Sequence, residues 1–272
     1  MATIDAVVGE LMELARAGPD LLQFRSRVSA HQYLPLYRLV RRYVKAPATT
    51  LDWGAGNGHF SYFLQRSGYR VTGYSMEDFR YESFLPRPEA YRYVQGTLSE
   101  PRLLPFSDAS FEAVTSIGVL EHVRETGGTE ADSLREIGRV LAPGAVFICG
   151  HLPNRYSWIE AAVALAADRH RHPFKYTKRQ IRRMFRDAGL SVEHLTRYQI
   201  LPRNIMGLVP ETMRRSRALA RVWDAADLLA ATPLGLFVQN FAVVGRKMTT
   251  FGGDPRARLA DTGESLPSEA TP

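Results

Sequence analysis

The sequence predicts an α/β protein built on a doubly wound, mostly parallel sheet of seven strands, with helices ahead of the first strand and a helical cap inserted late in the chain. Two observations predict it. One is the stretch Thr49 to Phe60, where a short apolar run ends in Asp52, meets glycines at 54, 56 and 58, and passes into a helical pattern. The other is the alternation that follows: short β-rich runs separated by helical periods, at the lengths of βαβ units.

In order, residues 4 to 45 read as two or three helices. Ile4, Val7, Val8, Leu11, Met12 and Leu14 keep a helical period, and Leu34, Leu36, Leu39, Val40 and Val44 keep another, with Gly18-Pro19 breaking the first. Thr49 onward is the first strand. Phe60, Phe63 and Leu64 give the next helix its core face, and Gly68 ends it. Arg70–Tyr74, Tyr91–Gln95, Phe111–Ile117 and Ala145–Cys149 are strands two to five, with a helix from Ser133 to Leu141 stopped by Pro143-Gly144. An alanine-rich helix runs to about Asp168, and Thr177 caps another that ends before Gly189. Ser191–Tyr198 and Phe237–Gly245 complete the sheet around an insertion at 199 to 233, and the Gly, Pro, Asp and Ser-rich tail after Lys247 reads as disordered.

Composition narrows the functions. At 272 residues, 45% hydrophobic and 23% charged, the chain has the make-up of a soluble globular protein. A lone cysteine, Cys149, cannot form an intrachain disulfide, and without cysteine pairs no structural zinc site is expected. The N-terminus lacks a basic start and apolar core, no apolar run is long enough to span a bilayer, and the expected location is cytoplasmic. The net charge of +7 is concentrated in Arg169 to Arg186 and Arg203 to Arg221. No recognition helix or basic–aromatic interleaving accompanies it, so solvated helix faces are preferred to nucleic-acid binding.

Glycines at 54, 56 and 58 leave room for backbone N–H groups to approach a ligand, and the helix behind them turns its positive end to the same pocket. His59 stands where G-x-G-x-x-G would continue, so the dinucleotide fingerprint is not met, and no G-K-[ST] follows to make a P-loop. A glycine-rich turn with no ligand is the alternative. The Asp52-x-Gly54-x-Gly56-x-Gly58 spacing instead resembles the first motif of class I S-adenosylmethionine-dependent methyltransferases.

Two further stretches strengthen the resemblance. Leu104-Pro105-Phe106-Ser107-Asp108-Ala109-Ser110-Phe111-Glu112-Ala113-Val114, continuing to Val119-Leu120-Glu121-His122-Val123, is similar to a second family segment. Leu134-Arg135-Glu136 through Arg139-Val140-Leu141-Ala142-Pro143-Gly144 is similar to a third. With the three in order from about Thr49 to Lys247, the chain resembles the small-molecule, type 11-like branch of the family.

The resemblance implies a Rossmann-like single domain over residues 1–247: an N-terminal cover at 1–45, a cofactor-binding half at 49–150 and a substrate-side half at 151–247. It implies S-adenosylmethionine as cofactor. Asp52, Gly54, Ala55, Gly56, Asn57 and Gly58 would face its methionine end and ribose; Tyr74, Ser75 and Met76 would hold the ribose; Gly96, Thr97 and Leu98 the adenine; Ser116, Ile117 and Gly118 the floor. The chain departs from the family at two points. Ser75 stands where an acid usually ends the second strand, and Thr97 where an Asp usually follows Gly96.

Methyl transfer from a sulfonium needs alignment and, for a hydroxyl acceptor, a base. His122 and His151, both at the carboxyl edge of the sheet, are the candidates; metal ligation by the pair needs a third ligand that the sequence does not identify. Arg155, Tyr156 and Trp158 are the expected substrate contacts, and His170 to Tyr176 gathers positive charge suited to an anionic acceptor. Apolar stretches at 200–210 and 228–230, flanked by Arg214, Arg215, Arg217 and Arg221, suit core packing, a lipid-linked acceptor or contact with an anionic membrane. The expected function is O-methylation of a small molecule in secondary metabolism or of a glycolipid or polysaccharide precursor. The alternative is a non-methylating step, or a degenerate cofactor site, on the same fold.

Overall fold

The computed structural model describes residues 1–17, 20–77, 84–97, 99–100, 102–164 and 172–249. The expectations on Gly18-Pro19, Leu98, Asp168, His170 and the tail from 250 lie outside the described residues. Seven strands form one sheet in the order β3-β2-β1-β4-β5-β7-β6. They are β1 (Thr49–Trp53), β2 (Arg70–Ser75), β3 (Arg92–Gln95), β4 (Phe111–Ile117), β5 (Leu141–Pro153), β6 (Leu190–Tyr198) and β7 (Asn240–Lys247). Strands β1 to β5 pair in parallel, and β7 runs antiparallel between β5 and β6. The order reverses between β1 and β4, which is the switch point where open α/β sheets bind ligands.

Helices α1 (Ile4–Ala17), α2 (Arg27–Ala30) and α3 (Leu34–Tyr43) lie ahead of the sheet. The apolar face of α1 (Val7, Val8, Leu11) and that of α3 (Leu36, Tyr37, Val40) join one buried cluster with Phe60, Phe63, Ile148 and Val244. The N-terminal segment therefore packs onto the sheet rather than standing apart. The opposite face is covered by α5 (Glu130–Val140) and α7 (Lys178–Asp187), whose Leu134, Ile137, Ile181 and Phe185 meet Leu51, Val114 and Phe147. Thr129 and Thr177 cap these two helices, the latter through a capping box with Gln180.

Relative to the sequence reading, β2, β3 and β6 each shift by one residue at one end, and β5 and β7 shift further. The helix expected to reach Leu141 ends at Val140, and β5, expected at Ala145–Cys149, begins at Leu141 and runs on to Pro153. Pro143 bars the residue before it from helical backbone, so the chain extends early. The seventh strand starts at Asn240 rather than Phe237, because the Phe237 N–H bonds back to the Leu234 carbonyl. His151 does not end β5. It sits in a bulge between Cys149 and Leu152 with φ 60°, and a bulge re-aims a side chain beside a site.

Candidate active site

The turn between β1 and α4 (His59–Arg66) takes its shape from glycine: φ is 80° at Gly54, 51° at Gly56 and 75° at Gly58. The Gly54 and Ala55 N–H groups both donate to the Tyr74 carbonyl, at 2.7 and 3.0 Å, tying the turn to the end of β2. A Cβ on Gly54 would overlap both Val119 methyls, whereas one on Gly56 would meet only the Gly54 carbonyl, at 3.8 Å. The cradle is thus closed below by Val119 and open above Gly56.

Asp52 lies beneath this turn, 2% exposed. Ser61 on α4 donates to one carboxylate oxygen at 2.6 Å and Thr115 on β4 to the other at 3.2 Å, so one side chain joins β1, β4 and α4. Burial pushes its pKa up to about 6 against the lowering effect of these two hydroxyls. At the neighbouring strand ends, Tyr74 is buried against Phe106, Ser75 is half-buried with its hydroxyl accepting the Glu77 N–H, and Met76 meets the Tyr74 hydroxyl at 3.8 Å. Gly96 bonds to the Ser75 carbonyl, and the exposed Thr97 hydroxyl accepts from Ser99. Ser116 is buried under the floor, while Ile117 and Gly118 are half-buried at it.

The sequence reading passed over His59 except as the residue that spoils a dinucleotide fingerprint. The structure sets its ring 4.7 Å from Tyr33, which also meets the His151 ring at 5.1 Å. The partners of each imidazole bear on which nitrogen carries the proton. Asn57 donates its amide to the Asp20 carbonyl, so its oxygen faces His59 Nδ1 at 2.6 Å; the Gln23 amide nitrogen approaches the same Nδ1 at 3.3 Å, and the shorter contact favours the proton on Nδ1. In that tautomer the second ring nitrogen, Nε2, buried without a partner, keeps its lone pair. His151 is the reverse. The Tyr198 hydroxyl accepts the His151 backbone N–H at 2.9 Å and turns its own proton to Nδ1 at 3.2 Å, with the Asn240 amide a second donor at 3.4 Å. Its buried, unpartnered Nε2 therefore carries the hydrogen. Burial lowers both pKa values, to about 3 for His59 and about 4 for His151, so both rings are neutral at pH 7. In this tautomer His151 donates a hydrogen bond, and His59 is the ring with a lone pair to offer.

His122 stands apart from that pair, beside His172 and the buried Glu121. Of the expected substrate residues, Trp158 donates its indole N–H to the Ile200 carbonyl at 2.7 Å, bracing α6 (Trp158–Ala164) against the insertion, and Arg155 and Tyr156 are exposed.

A methyltransferase-domain family model matches residues 25–195, more than half of the chain. The chain belongs to the methyltransferase domain family. No curated protein matches it. Solved structures match over nearly the whole chain. One is the Burkholderia thailandensis 1,6-didemethyltoxoflavin-N1-methyltransferase with bound S-adenosylhomocysteine: 17% identity, TM-score 0.53, 92% of each chain covered. Another is a Haloferax volcanii putative methyltransferase solved with the Trm112 activator: 18% identity, TM-score 0.55, 92% of this chain and 97% of that one. A third is the 4+2 cyclase SpnF: 17% identity, TM-score 0.58, 89% of this chain and 93% of that one. At these identities they establish the fold. The methyl donor of the methyltransferase is S-adenosylmethionine, and the glycine cradle fits it: positive-φ backbone, an N-terminal helix end, and space above Gly56 that a Cβ would fill.

Proposed function

We propose that this methyltransferase methylates a hydroxyl oxygen of a small-molecule acceptor. The observation that carries this reading is the complementary pair of buried imidazole nitrogens around Tyr33, a lone pair on His59 and an N–H on His151. A hydroxyl held there would accept from His151 and donate to His59. S-adenosylmethionine supplies an electrophilic methyl, and the sulfur keeps the bonding pair as S-adenosylhomocysteine. As the oxygen gains the methyl, its proton passes to His59, whose Asn57–Asp20 support holds the ring in position. With an acceptor set of matched hydroxyl and amine compounds, S-adenosylhomocysteine release should be confined to the hydroxyls. His59→Gln should lower kcat by roughly 10²–10⁴-fold while leaving cofactor affinity intact. Turnover of amines alone, or full activity in His59→Gln, would refute the assignment.

A lipid-linked acceptor is supported by α9 (Arg217–Leu234), which packs Leu219, Ala220 and Trp223 against Val28 and Met206 yet leaves a second apolar face exposed. Its acids face inward: Asp227 accepts from the Ile200 and Leu201 N–H groups, and Asp224 pairs with Arg203 and His31. Outward stand Val222, Leu228 and Leu229, continued by Leu234, Leu236 and Phe237, with Leu228 71% and Leu229 73% exposed. Arg214 and Arg215 on α8 (Glu211–Arg215), with Arg217 and Arg221, crowd the start of α9, two of them paired with Glu13 and Asp5. Such a face suits the interface of an anionic membrane, which would deliver the acceptor. The full chain should sediment with vesicles containing anionic lipid, and Leu228→Glu with Leu229→Glu should abolish this without lowering Tm. Dimerisation of the free protein, lost in the same variant, would point to a second copy instead.

A non-methylating reaction remains the second reading. It is favoured by Ser75 and Thr97 at positions where the family places acids, and the cyclase among the structural matches supports it. A chain that binds S-adenosylmethionine without releasing S-adenosylhomocysteine from any acceptor would support it.

A further inference from the structure

Glu121 follows β4 at the carboxyl edge of the sheet, and its Oε2 is buried with no hydrogen-bond partner. That is a costly condition for a carboxylate, and either a proton or a bound cation relieves it. His122 is its neighbour in sequence, and His172 reaches the same place from beyond α6. Each of the three offers one ligand atom, and these atoms lie within 4.8 Å of one another. Both rings are braced by carboxylates: His122 Nδ1 meets Glu125 at 2.8 Å, and His172 Nδ1 meets Glu160 at 3.0 Å. Lys175 in turn holds Glu160, at 3.6 Å. A carboxylate on one ring nitrogen is the device that orients a histidine to ligate metal through the other.

We propose that Glu121, His122 and His172 bind one divalent transition-metal ion. Two imidazoles and one carboxylate suit manganese, iron, cobalt, nickel or zinc, whereas calcium and magnesium prefer all-oxygen shells. Three protein ligands leave coordination positions for water or for an oxygen of the acceptor. The place makes the second option chemically useful. A Cβ added to Gly118 would lie 3.9 Å from Glu121 Oε1 and 4.0 Å from His151 Cβ, so the triad borders the same floor as His151. The ion would act there as a Lewis acid on a bound oxygen. His172 is the third ligand that the sequence could not supply for His122, and His151 is not part of the set.

The test is titration of the chelator-stripped full chain with Co²⁺, read by visible absorption, and with Zn²⁺, read by calorimetry. The wild type should take up one equivalent of either ion. Glu121→Gln and His172→Ala should each weaken binding at least tenfold, and Glu160→Gln, which removes only the brace, by about 10–100-fold. Thermal melting and S-adenosylmethionine binding identify any variant that fails to fold, and the other variants then decide. Absence of binding to the wild type, or equal affinity in folded Glu121→Gln and His172→Ala, would overturn the site. Neither outcome bears on cofactor binding, which is measured separately.

Discussion

Gly54→Ala should unfold the chain at a markedly lower temperature and abolish cofactor binding. Two costs add at this position. A side chain at φ 80° carries left-handed strain of about 1–2 kcal/mol. The new Cβ also overlaps both Val119 methyls, and overpacking of this kind costs about 1–3 kcal/mol. The sum, about 2–5 kcal/mol, corresponds to a fall in Tm on the order of 10 °C for a domain of this size. Gly56→Ala is the discriminating partner. Its Cβ meets nothing nearer than 3.8 Å, so only the strain is added, yet it fills the space proposed for the cofactor. Calorimetric melting and S-adenosylmethionine titration of both variants should show a large stability loss only at Gly54 and a binding loss at both.

Asp52→Asn should separate stability from binding in sign. The folded-state pKa of Asp52 is raised to about 6 by burial, above the unfolded value near 3.8. The unfolded chain is therefore ionised first, and stability falls as pH rises from about 4 to about 6, staying reduced above that. Converted at 1.36 kcal/mol per unit, the ionised carboxylate costs the fold on the order of 3 kcal/mol at pH 8. Asparagine keeps the shape, and the Ser61 and Thr115 hydroxyls can turn to satisfy its amide. The variant should melt no lower than the wild type at pH 8 while binding S-adenosylmethionine at least tenfold more weakly. Wild-type affinity should likewise decline below pH 6, as Asp52 protonates. A variant that melts lower at pH 8 but binds normally would make Asp52 a structural tie alone.

The sheet was legible because its signals are local. Asp52 with Gly54, Gly56 and Gly58 marks a strand, a turn and a helix start within a few residues, and Pro143-Gly144 forces the entry to β5. The donor–acceptor pair at His59 and His151 was not legible, because it depends on partners brought from afar: Asp20 and Asn57 for one ring, Tyr198 and Asn240 for the other. The Asn57-x-His59 spacing was visible, but only the Asp20 contact gives it meaning. His151 was read as a base at a strand end; the bulge and its two donors make it a hydrogen-bond donor. The apolar stretch at 228–230 was visible in the sequence, but its outward direction was not, because that follows from the bonds of Asp224 and Asp227 to distant partners.

Methyl transfer by this chain depends on the Gly54–Gly58 cradle holding S-adenosylmethionine. Calorimetric titration of the full chain with S-adenosylmethionine and with S-adenosylhomocysteine, repeated on Gly56→Ala, tests it most directly. The expected result is one site of micromolar affinity for both, absent in a Gly56→Ala chain that still melts cooperatively. A folded wild type that binds neither, or a Gly56→Ala chain that binds both unchanged, would contradict it.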